Sequence, residues 1–370
     1  MARVAGACRR ILLGMSTPTA VPPGINFERV SLFFARNVEG GNCPLAFTLI
    51  SGGKSNLTYH VAGGGKEWVL RRPPLGHVLP TAHDMAREYR VLAALAGTNV
   101  PVPRPHALCE DRTVNDQPFY VMDYCAGVIV AEELPEGFAT TFDERDRMSG
   151  ALVDTLVALH AVDYNAVGLS DFGRPEGYVE RQVRRWGEQW ERSKTREVPV
   201  VDDTMRRLKG SVPVSPAPTI VHGDFRFGNM ILNANDPGRV EAILDWEMAT
   251  LGDPLSDLAY TLIYWGEETD DPVRLELRRM ASVTARPGFW TRDQIVQAYG
   301  QRSGRNVEAI DFYQVLAYYK LAVICEGIHS RYLAGETVGE GFDTYAEQSQ
   351  NLCSMAIQIA DESADGKLHA

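Results

Sequence analysis

The segment from Val221 to Glu247 constrains the fold of this 370-residue chain more than any other part of the sequence. It contains His-Gly-Asp-Phe-Arg-Phe-Gly-Asn at residues 222–229 and Ile-Leu-Asp-Trp-Glu at residues 243–247. Between the two motifs, residues 230–232 and 240–244 have the apolar character of strands, and the turn sequence Asn-Asp-Pro-Gly separates them. The sequence therefore predicts an antiparallel hairpin that brings the two motifs together.

Three side chains of this region supply the groups that phosphoryl transfer from a magnesium nucleotide requires. Such a reaction depends on positioning a hydroxyl nucleophile and neutralising phosphate charge, and needs little covalent work from the protein. Asp224 is the candidate that accepts or orients the hydroxyl proton. Asn229 and Asp245 offer the hard oxygen ligands that Mg²⁺ prefers. Each residue alone is typical of a turn or a helix cap, but together they predict a kinase-like site that uses ATP and Mg²⁺.

On these motifs the chain resembles the aminoglycoside phosphotransferase-like family, and within it the branch related to the kinase domain of acyl-CoA dehydrogenase 10 and 11. The resemblance extends from about Leu45 to about Gly335. It implies an α+β, protein-kinase-like fold of two lobes, with a small β-rich N-lobe and a larger, mostly helical C-lobe that close around ATP. It also implies ATP-dependent phosphorylation of a small-molecule hydroxyl, but fold analogy does not identify that molecule.

The length permits two substantial cores, and the resemblance places a connector between them. Residues 1–24 are expected to form a flexible N-terminal segment, residues 25–125 the ATP-binding N-lobe, and residues 126–370 the catalytic and substrate-binding C-lobe. The apolar run near the start is too short for a secretory signal, and Met15 is an alternative start.

Composition and cysteine spacing indicate where the protein is located and which partners it does not bind. No apolar run is long enough to span a membrane. The six cysteines have no Cys-x-x-Cys spacing, which favours reduced thiols and a cytoplasmic location. The formal net charge of −11 argues against a general nucleic-acid partner. The sequence gives no indication of the oligomeric state.

A glycine-containing loop lies between strand-like segments at residues 51–56. Glycines let backbone N–H groups approach phosphate oxygens, and Lys54 could add a positive charge there. A simple hairpin turn is an equally good interpretation. The candidate phosphate-binding residues of this loop are Ser51, Gly52, Gly53, Ser55 and Asn56.

By resemblance, the strand after the loop carries the cation that binds the α- and β-phosphates. Protein kinases have lysine at this position, whereas this sequence has Arg71, which stays charged and can bind phosphate through two hydrogen bonds. Arg72 should point to the opposite face of the strand and is interpreted as a solvated residue of an edge strand.

Glu88 is the acidic residue expected to orient Arg71, on a helix whose capping pattern begins at Thr81. Local pairing of Glu88 with Arg87 or Arg90 is the alternative.

Further along, residues 118–127 indicate a buried strand that runs into a glycine-terminated connector. By resemblance this connector is the hinge between the lobes, and backbone groups near Asp123, Tyr124 and Cys125 bind adenine.

In the C-lobe, Asp257 lies in the first turn of a predicted helix, where it favours the helix dipole. By resemblance it also braces the loop that carries Asp224. His160 is interpreted as structural, and Glu326 as a candidate substrate contact. Trp186 and Trp190 should share one helix face.

The acceptor is indicated only by local charge. Residues 177–209 contain nine lysines and arginines against six acidic residues. A polycationic aminoglycoside would favour an acidic cleft, so this excess hints at an anionic or amphipathic acceptor, unless the arginines are only solvated helix charges. Two further hypotheses are a true antibiotic kinase and, because arginine replaces the kinase lysine, a nucleotide- or metabolite-binding pseudoenzyme.

Overall fold

The computed structural model of the protein describes residues 21–51, 56–75, 84–271, 274, 281–337 and 340–369. Most of the expected flexible segment, residues 1–24, lies outside this part of the chain. The first five strands are Ala46–Ser51 (β1), Leu57–Gly63 (β2), Lys66–Arg72 (β3), Pro105–Cys109 (β4) and Phe119–Asp123 (β5). They form one antiparallel sheet in the order β1, β2, β3, β5, β4.

Alternation along β3 gives this sheet two different faces. Trp68 and Leu70 point to the face covered by helix α1, Phe27–Asn37. The ring of Phe34 on α1 lies 5.8 Å from that of Trp68 in an edge-to-face contact. This helix begins at Phe27 because Asn26 is its N-cap.

Helix α2, Met85–Leu95, covers the opposite face of the sheet. Its N-cap is Asp84, whose side chain accepts a hydrogen bond from the Arg87 N–H at 2.9 Å. The prediction that the capping pattern begins at Thr81 is therefore wrong, because the carboxylate of Asp84 already satisfies the exposed N–H three residues later. Thr81 itself lies outside the described residues.

The environment of Arg72 also differs from the prediction. Only 1% of this residue is exposed. Its guanidinium lies 2.9 Å from Asp116 Oδ1 and also donates to the Gly24 carbonyl. The interpretation as a solvated edge-strand residue is wrong because β3 lies between β2 and β5, and the chain before α1 closes over the Arg72 end of that strand.

The part of the chain after β5 is largely helical. Its helices are Phe142–His160 (α4), Tyr178–Ser193 (α5), Pro199–Gly210 (α6), Leu255–Ile263 (α7), Ala281–Thr284 (α8), Arg292–Ser303 (α9), Ile310–Leu333 (α10) and Tyr345–Glu362 (α11), and the short helix α3, Arg112–Asn115, precedes β5. The long helix α10 packs against α5, α6, α7 and α11 and is buried over most of its length. Helix α4 begins with a capping box, in which Thr141 and Glu144 bond reciprocally. The chain thus has the predicted α+β kinase-like architecture.

Two small two-stranded sheets follow α6 along the chain. Strand β6, Thr219–Val221, pairs with β9, Thr250–Gly252, and β7, Met230–Asn233, forms a hairpin with β8, Asp236–Ile243. This second pair is the predicted hairpin, but β8 begins earlier than expected. The side chain of Asn233 accepts hydrogen bonds from the N–H groups of residues 235 and 236 and closes the turn before the Pro-Gly pair.

The connector after β5 is tied to the second hairpin. Val128 and Leu232 exchange two backbone hydrogen bonds of 2.8 Å. Gly127 must be glycine here, since an added Cβ would lie 2.4 Å from the Leu232 carbonyl oxygen. The division predicted between residues 125 and 126 falls between the end of β5 and this bridge.

No helix within the described ranges is long and apolar enough to cross a membrane. None of the five cysteines that the structure describes forms a disulfide bond.

Candidate active site

The loop that carries Asp224 follows β6 and is hydrogen-bonded to the buried carboxylate of Asp257. Asp257, on α7, accepts hydrogen bonds from the backbone N–H groups of His222 (2.6 Å) and Gly223 (2.7 Å). Burial alone would raise the pKa of Asp257, but contacts with His160 and with the Gly223 N–H hold it below its ordinary value. The brace expected at Asp257 is therefore present as a set of hydrogen bonds.

His160 belongs to this buried support. Its ring nitrogens lie 2.7 Å from the Tyr299 hydroxyl and 3.4 Å from Asp257 Oδ2. Burial lowers the pKa of His160, although Asp257 opposes the shift. This environment agrees with the structural interpretation of the residue.

The carboxylate of Asp224 is oriented by two neighbours. Its Oδ2 accepts a hydrogen bond of 2.7 Å from Asn229 Nδ2, and its Oδ1 accepts one of 2.8 Å from Arg226 Nε. The side chain keeps 17% of its surface exposed. Asp224 is thus fixed in one orientation while still reachable, which is the arrangement that a general base requires.

The hairpin brings Asn229 and Asp245 together as the sequence predicted. Met230 pairs with Ile243, and the Leu244 N–H donates to the Asn229 carbonyl at 2.8 Å. Asp245 has a left-handed backbone conformation with φ of 67°. Such a conformation costs free energy for a residue other than glycine, and it is found preferentially at functional sites.

Arg71 reaches this hairpin from β3. Its Nε lies 3.0 Å from Glu88 Oε2, so the ion pair predicted with Glu88 is present, and its Nη2 contacts Asp245. Glu88 also accepts a hydrogen bond of 3.0 Å from the Tyr120 hydroxyl. Burial raises the pKa of Glu88 to about 7, although Arg71 and Tyr120 oppose the shift. The alternative pairing with Arg87 is not adopted, because that side chain donates to backbone carbonyls near Phe172.

Asn56 lies inside the same cluster. Its Nδ2 donates to Glu88 Oε1 at 2.8 Å and to Glu247 Oε2 at 3.4 Å. Its Oδ1 is buried with no hydrogen-bond partner among the described residues. The side chain predicted to bind phosphate therefore orients the carboxylate that holds Arg71.

The rest of the glycine-containing loop cannot be placed. Gly52, Gly53, Lys54 and Ser55 lie outside the described residues, and Ser51 is described only as the last residue of β1. Their assignment to phosphate binding stays a prediction.

In the predicted hinge, the Asp123 N–H already donates to the Arg104 carbonyl at 2.9 Å. The Asp123 carboxylate lies 2.6 Å from His106 Nε2. The ring of Tyr124 makes an edge-to-face contact with His60 at 4.8 Å. Burial raises the pKa of the Cys125 thiol to about 11, so this cysteine stays protonated at neutral pH. The adenine role of these residues stays a prediction, and Asp123 is the least suited of the three to donate its N–H.

The donor set fits a magnesium nucleotide. The NH₂ group of Asn229 donates hydrogen bonds to Asp224, so the side-chain carbonyl oxygen of Asn229 is the atom that could bind a metal. Asp245 adds a carboxylate that is 31% exposed. The described residues contain no group of three or more His, Cys, Asp or Glu side chains that could enclose a metal. Mg²⁺ ordinarily takes one or two protein oxygens and completes its shell with water and phosphate, so two donors suit that ion.

Residues 46–291 match the family model described as the phosphotransferase enzyme family, APH. The chain belongs to this family. It is accordingly a phosphotransferase with the fold of ATP-binding kinases, and its kinase-like architecture agrees with its structural relatives.

This phosphotransferase is 32% identical over 318 residues to acyl-CoA dehydrogenase family member 10 of Mus musculus, a match that covers 86% of the chain but 29% of that relative. It therefore spans less than a third of that longer protein. A crystal structure of a candidate aminoglycoside phosphotransferase from Ralstonia eutropha JMP134 shares 31% identity and a TM-score of 0.77, covering 90% of this chain and 98% of the other.

A more distant relative supports the fold alone. The aminoglycoside phosphotransferase APH(4)-Ia, solved with ADP and hygromycin B, is 15% identical with a TM-score of 0.58, covering 89% of this chain and 97% of the other.

Three residues near the site of this phosphotransferase were not predicted. Arg226 lies inside the first motif, two residues after Asp224, and Glu247 closes the second motif, so both could have been chosen by position. Lys320 on α10 is electrostatically coupled to Asp224. No local sequence pattern marks Lys320, because only the packing of α10 brings it there.

Glu326 is the candidate substrate contact that the structure excludes. It is fully buried, and its carboxylate accepts from the Thr195 N–H at 3.0 Å and pairs with Arg196 at 2.9 Å. Trp190 is also buried, with its indole N–H donating to Asp202 at 3.0 Å. Glu326 thus joins α10 to the segment after α5, and Trp190 joins α5 to α6.

Proposed function

We propose that this protein uses Mg²⁺ and ATP to transfer the γ-phosphoryl group to a hydroxyl of a small molecule. Asp224 is the catalytic base, Asn229 and Asp245 are the metal ligands, and Arg71 binds the α- and β-phosphates. The observation that carries the proposal is the double hydrogen bonding of Asp224, which fixes a reachable carboxylate beside Asn229, one of the two proposed metal ligands.

In the proposed step, Asp224 accepts the proton of the acceptor hydroxyl as the oxygen attacks the γ-phosphorus. A new acceptor O–P bond forms, the bond between the γ-phosphorus and the bridging oxygen breaks, and ADP leaves with that oxygen. Asp224 Oδ1 accepts the hydrogen bond from Arg226, and Asp224 Oδ2 accepts the hydrogen bond from Asn229. Buried Asp257 keeps the loop from moving away from this position.

The nucleotide side of the proposal rests on Arg71, Asn229 and Asp245. Mg²⁺, when bound with ATP, would neutralise charge on the β- and γ-phosphates. Arg71 is already oriented by Glu88 and needs to exchange its contact with Asp245 for phosphate oxygens. Arginine can perform the role that lysine has in protein kinases, because a guanidinium binds phosphate strongly.

The charge of residues 177–209 gives less guidance about the acceptor than the sequence suggested. Several of its cations pair within the segment, such as Arg192 with Glu188 and Arg206 with Asp203. These are the solvated helix charges of the alternative interpretation, and each such exposed pair has little energetic weight.

Two other observations favour an anionic or amphipathic acceptor. Arg226 bonds Asp224 directly and Lys320 is within electrostatic range of it, so a polycation would be repelled there. The relative of Mus musculus is named an acyl-CoA dehydrogenase family member, and acyl-CoA compounds are anionic. We therefore infer that a hydroxylated anion is a better acceptor than an aminoglycoside.

We also infer a cytoplasmic location from the reduced cysteine thiols that the cysteine spacing predicts.

An ATP-consumption screen tests the proposal. Purified protein is offered hydroxyacyl-CoA compounds, choline-like alcohols, gentamicin and kanamycin, with product phosphorylation followed by mass spectrometry. We expect an anionic hydroxyl compound to be phosphorylated and both antibiotics to be poor substrates. Efficient turnover of either antibiotic would support the antibiotic-kinase hypothesis, which the fold of APH(4)-Ia keeps relevant. ATP binding without turnover of any compound would favour a pseudoenzyme.

A further inference from the structure

Lys320 lies where three helices of the C-lobe meet. It projects from α10 over the ring of Tyr260 on α7, with 4.7 Å between the ammonium nitrogen and the ring centre. The ring of Trp186 on α5 lies 5.8 Å from the same nitrogen. Aromatic faces attract a cation through their π electrons, so these two rings hold the ammonium group in a defined position.

This position is connected to Asp224 by a row of aromatic and positive side chains. Tyr260 and Tyr264 lie one turn apart on α7, with ring centres separated by 5.3 Å. The guanidinium of Arg226 lies 5.1 Å from the ring centre of Tyr264, and Arg226 bonds Asp224 directly. This succession of contacts therefore links Lys320 to the proposed base.

Among the residues that the structure describes, no carboxylate lies within ion-pair distance of Lys320. Burial lowers the pKa of Lys320 to about 8, although the charges of Asp224 and Asp257 oppose the shift. A cation taken out of water without a counter-ion is unfavourable. Binding of an anion beside the ammonium group would relieve this cost.

A second cation strengthens the positive potential. Arg185 is exposed, and its guanidinium lies 5.8 Å from the centre of the Trp186 ring. It is close enough to lower the pKa of Lys320 further. Trp186 thus has two positive groups near its ring, and neither has an ion-pair partner within the described ranges.

We propose that Lys320 is a specificity-determining residue of the acceptor site. It binds an oxyanion of the acceptor, carboxylate or phosphate, while the acceptor's hydroxyl is presented to Asp224. The proposal rests on the phosphotransferase function proposed above, and it deepens that function by assigning the acceptor's charge to a particular side chain.

A matched set of three-carbon probes tests this without requiring turnover. Glycerol is neutral, glycerate carries a carboxylate and glycerol 3-phosphate carries a phosphate, while all three offer hydroxyl groups. Their binding to the full chain, loaded with Mg²⁺ and the ATP analogue AMP-PNP, is measured by ligand-observed NMR titration. We expect saturable binding of at least one anion and at least about tenfold weaker binding of glycerol. The preferred anion distinguishes a carboxylate group from a phosphate group.

Variants identify the residue responsible. Lys320→Met should weaken anion binding at least about tenfold, whereas Lys320→Arg should retain more of it. Lys66→Met removes an exposed lysine of β3 and should leave anion binding unchanged. AMP-PNP binding is measured for each variant. Equal loss of AMP-PNP affinity in Lys320→Met would overturn the proposal, because it would assign Lys320 to the nucleotide.

A chemical measurement on the wild type covers the case in which Lys320→Met does not fold. Acetylation of lysines is followed by mass spectrometry, with and without each probe. The anion should protect Lys320 and not Lys66, and glycerol should protect neither. Absence of anion binding, equal binding of glycerol, or no protection of Lys320 would each overturn the proposal.

These results are separable from failure of the proposed function. Anion binding at Lys320 is measured with AMP-PNP and requires no phosphoryl transfer, so it does not depend on the catalytic step. Suppose that Lys320→Met loses anion binding and that the wild type shows no Asp224-dependent turnover. The proposal of an anion site at Lys320 would then stand, and the proposed kinase function would be contradicted.

Discussion

Arg71 and Asp245 are paired with each other across 174 residues of sequence. The cation proposed to hold the nucleotide phosphates thus neutralises the carboxylate proposed to hold the metal. Both must exchange partners when Mg²⁺ and ATP bind. The pair of Arg71 with Asp245 is then replaced by two pairs, Arg71 with phosphate and Asp245 with Mg²⁺. This contact protects each charge from isolation in the unliganded protein.

Asp245→Asn should weaken Mg²⁺-dependent ATP binding by about tenfold or more, because it removes the charged oxygen ligand. Asparagine tolerates the left-handed backbone that Asp245 adopts, so the variant should fold normally. Calorimetric titration with ATP, with and without Mg²⁺, measures the effect. An unchanged dependence on Mg²⁺ would remove Asp245 from the metal role.

Neighbouring arginines of β3 should have different effects. Arg71→Met should weaken ATP binding by about tenfold or more, because it removes the cation proposed to hold the phosphates. Arg72→Met should instead lower the free energy of unfolding by about 2 kcal/mol, because Arg72 is buried and bonded to the chain before α1. Nucleotide titration and urea denaturation of both variants provide the comparison. Equal effects on ATP binding would show that the phosphate cation is misassigned, with Lys54 the next candidate.

Glu88 should make stability depend on pH. Its pKa is raised to about 7 in the folded protein, so between pH 4.5 and 7 the folded state binds a proton that the unfolded state has released. Stability should therefore fall as pH rises through this range, by on the order of 3 kcal/mol from this residue. Denaturation at a series of pH values measures the slope. Glu88→Gln should reduce that slope, and an identical slope in the variant would contradict the assignment.

Gly127→Ala should lower the free energy of unfolding by about 1–3 kcal/mol, since the added methyl group would overlap Ile231 and the Leu232 carbonyl. Gly97→Ala is the matched control, because its added methyl group would have no heavy atom within 4 Å among the neighbours considered. Denaturant unfolding compares the two variants. Equal stability would mean that the connector moves aside at little cost.

Local patterns in the sequence were sufficient for the parts of the site that lie close together along the chain. The hairpin joining Asn229 to Asp245 follows from apolar runs and a turn. The Arg71 and Glu88 pair was also predicted, by resemblance to kinases rather than by any pattern in the residues themselves.

Long-range packing explains what was predicted wrongly or missed. The burial of Arg72 depends on where the chain before α1 lies, and that is not visible in β3 itself. Glu326 has the chemistry of a substrate contact, but the fold uses it to bind Thr195 and Arg196. Lys320 approaches Asp224 only through the packing of α10 against α7.

The most direct test of the central claim separates nucleotide binding from turnover in Asp224→Ala. Asp224 is proposed to touch the acceptor hydroxyl, while nucleotide affinity comes from Arg71, Asn229 and Asp245. ATP affinity by calorimetry and phosphorylation of the best acceptor from the screen are measured for the variant and the wild type. We expect nearly normal Mg²⁺-ATP binding with turnover reduced about a hundredfold or more. Turnover that persists in Asp224→Ala would contradict the assignment of Asp224 as the catalytic base.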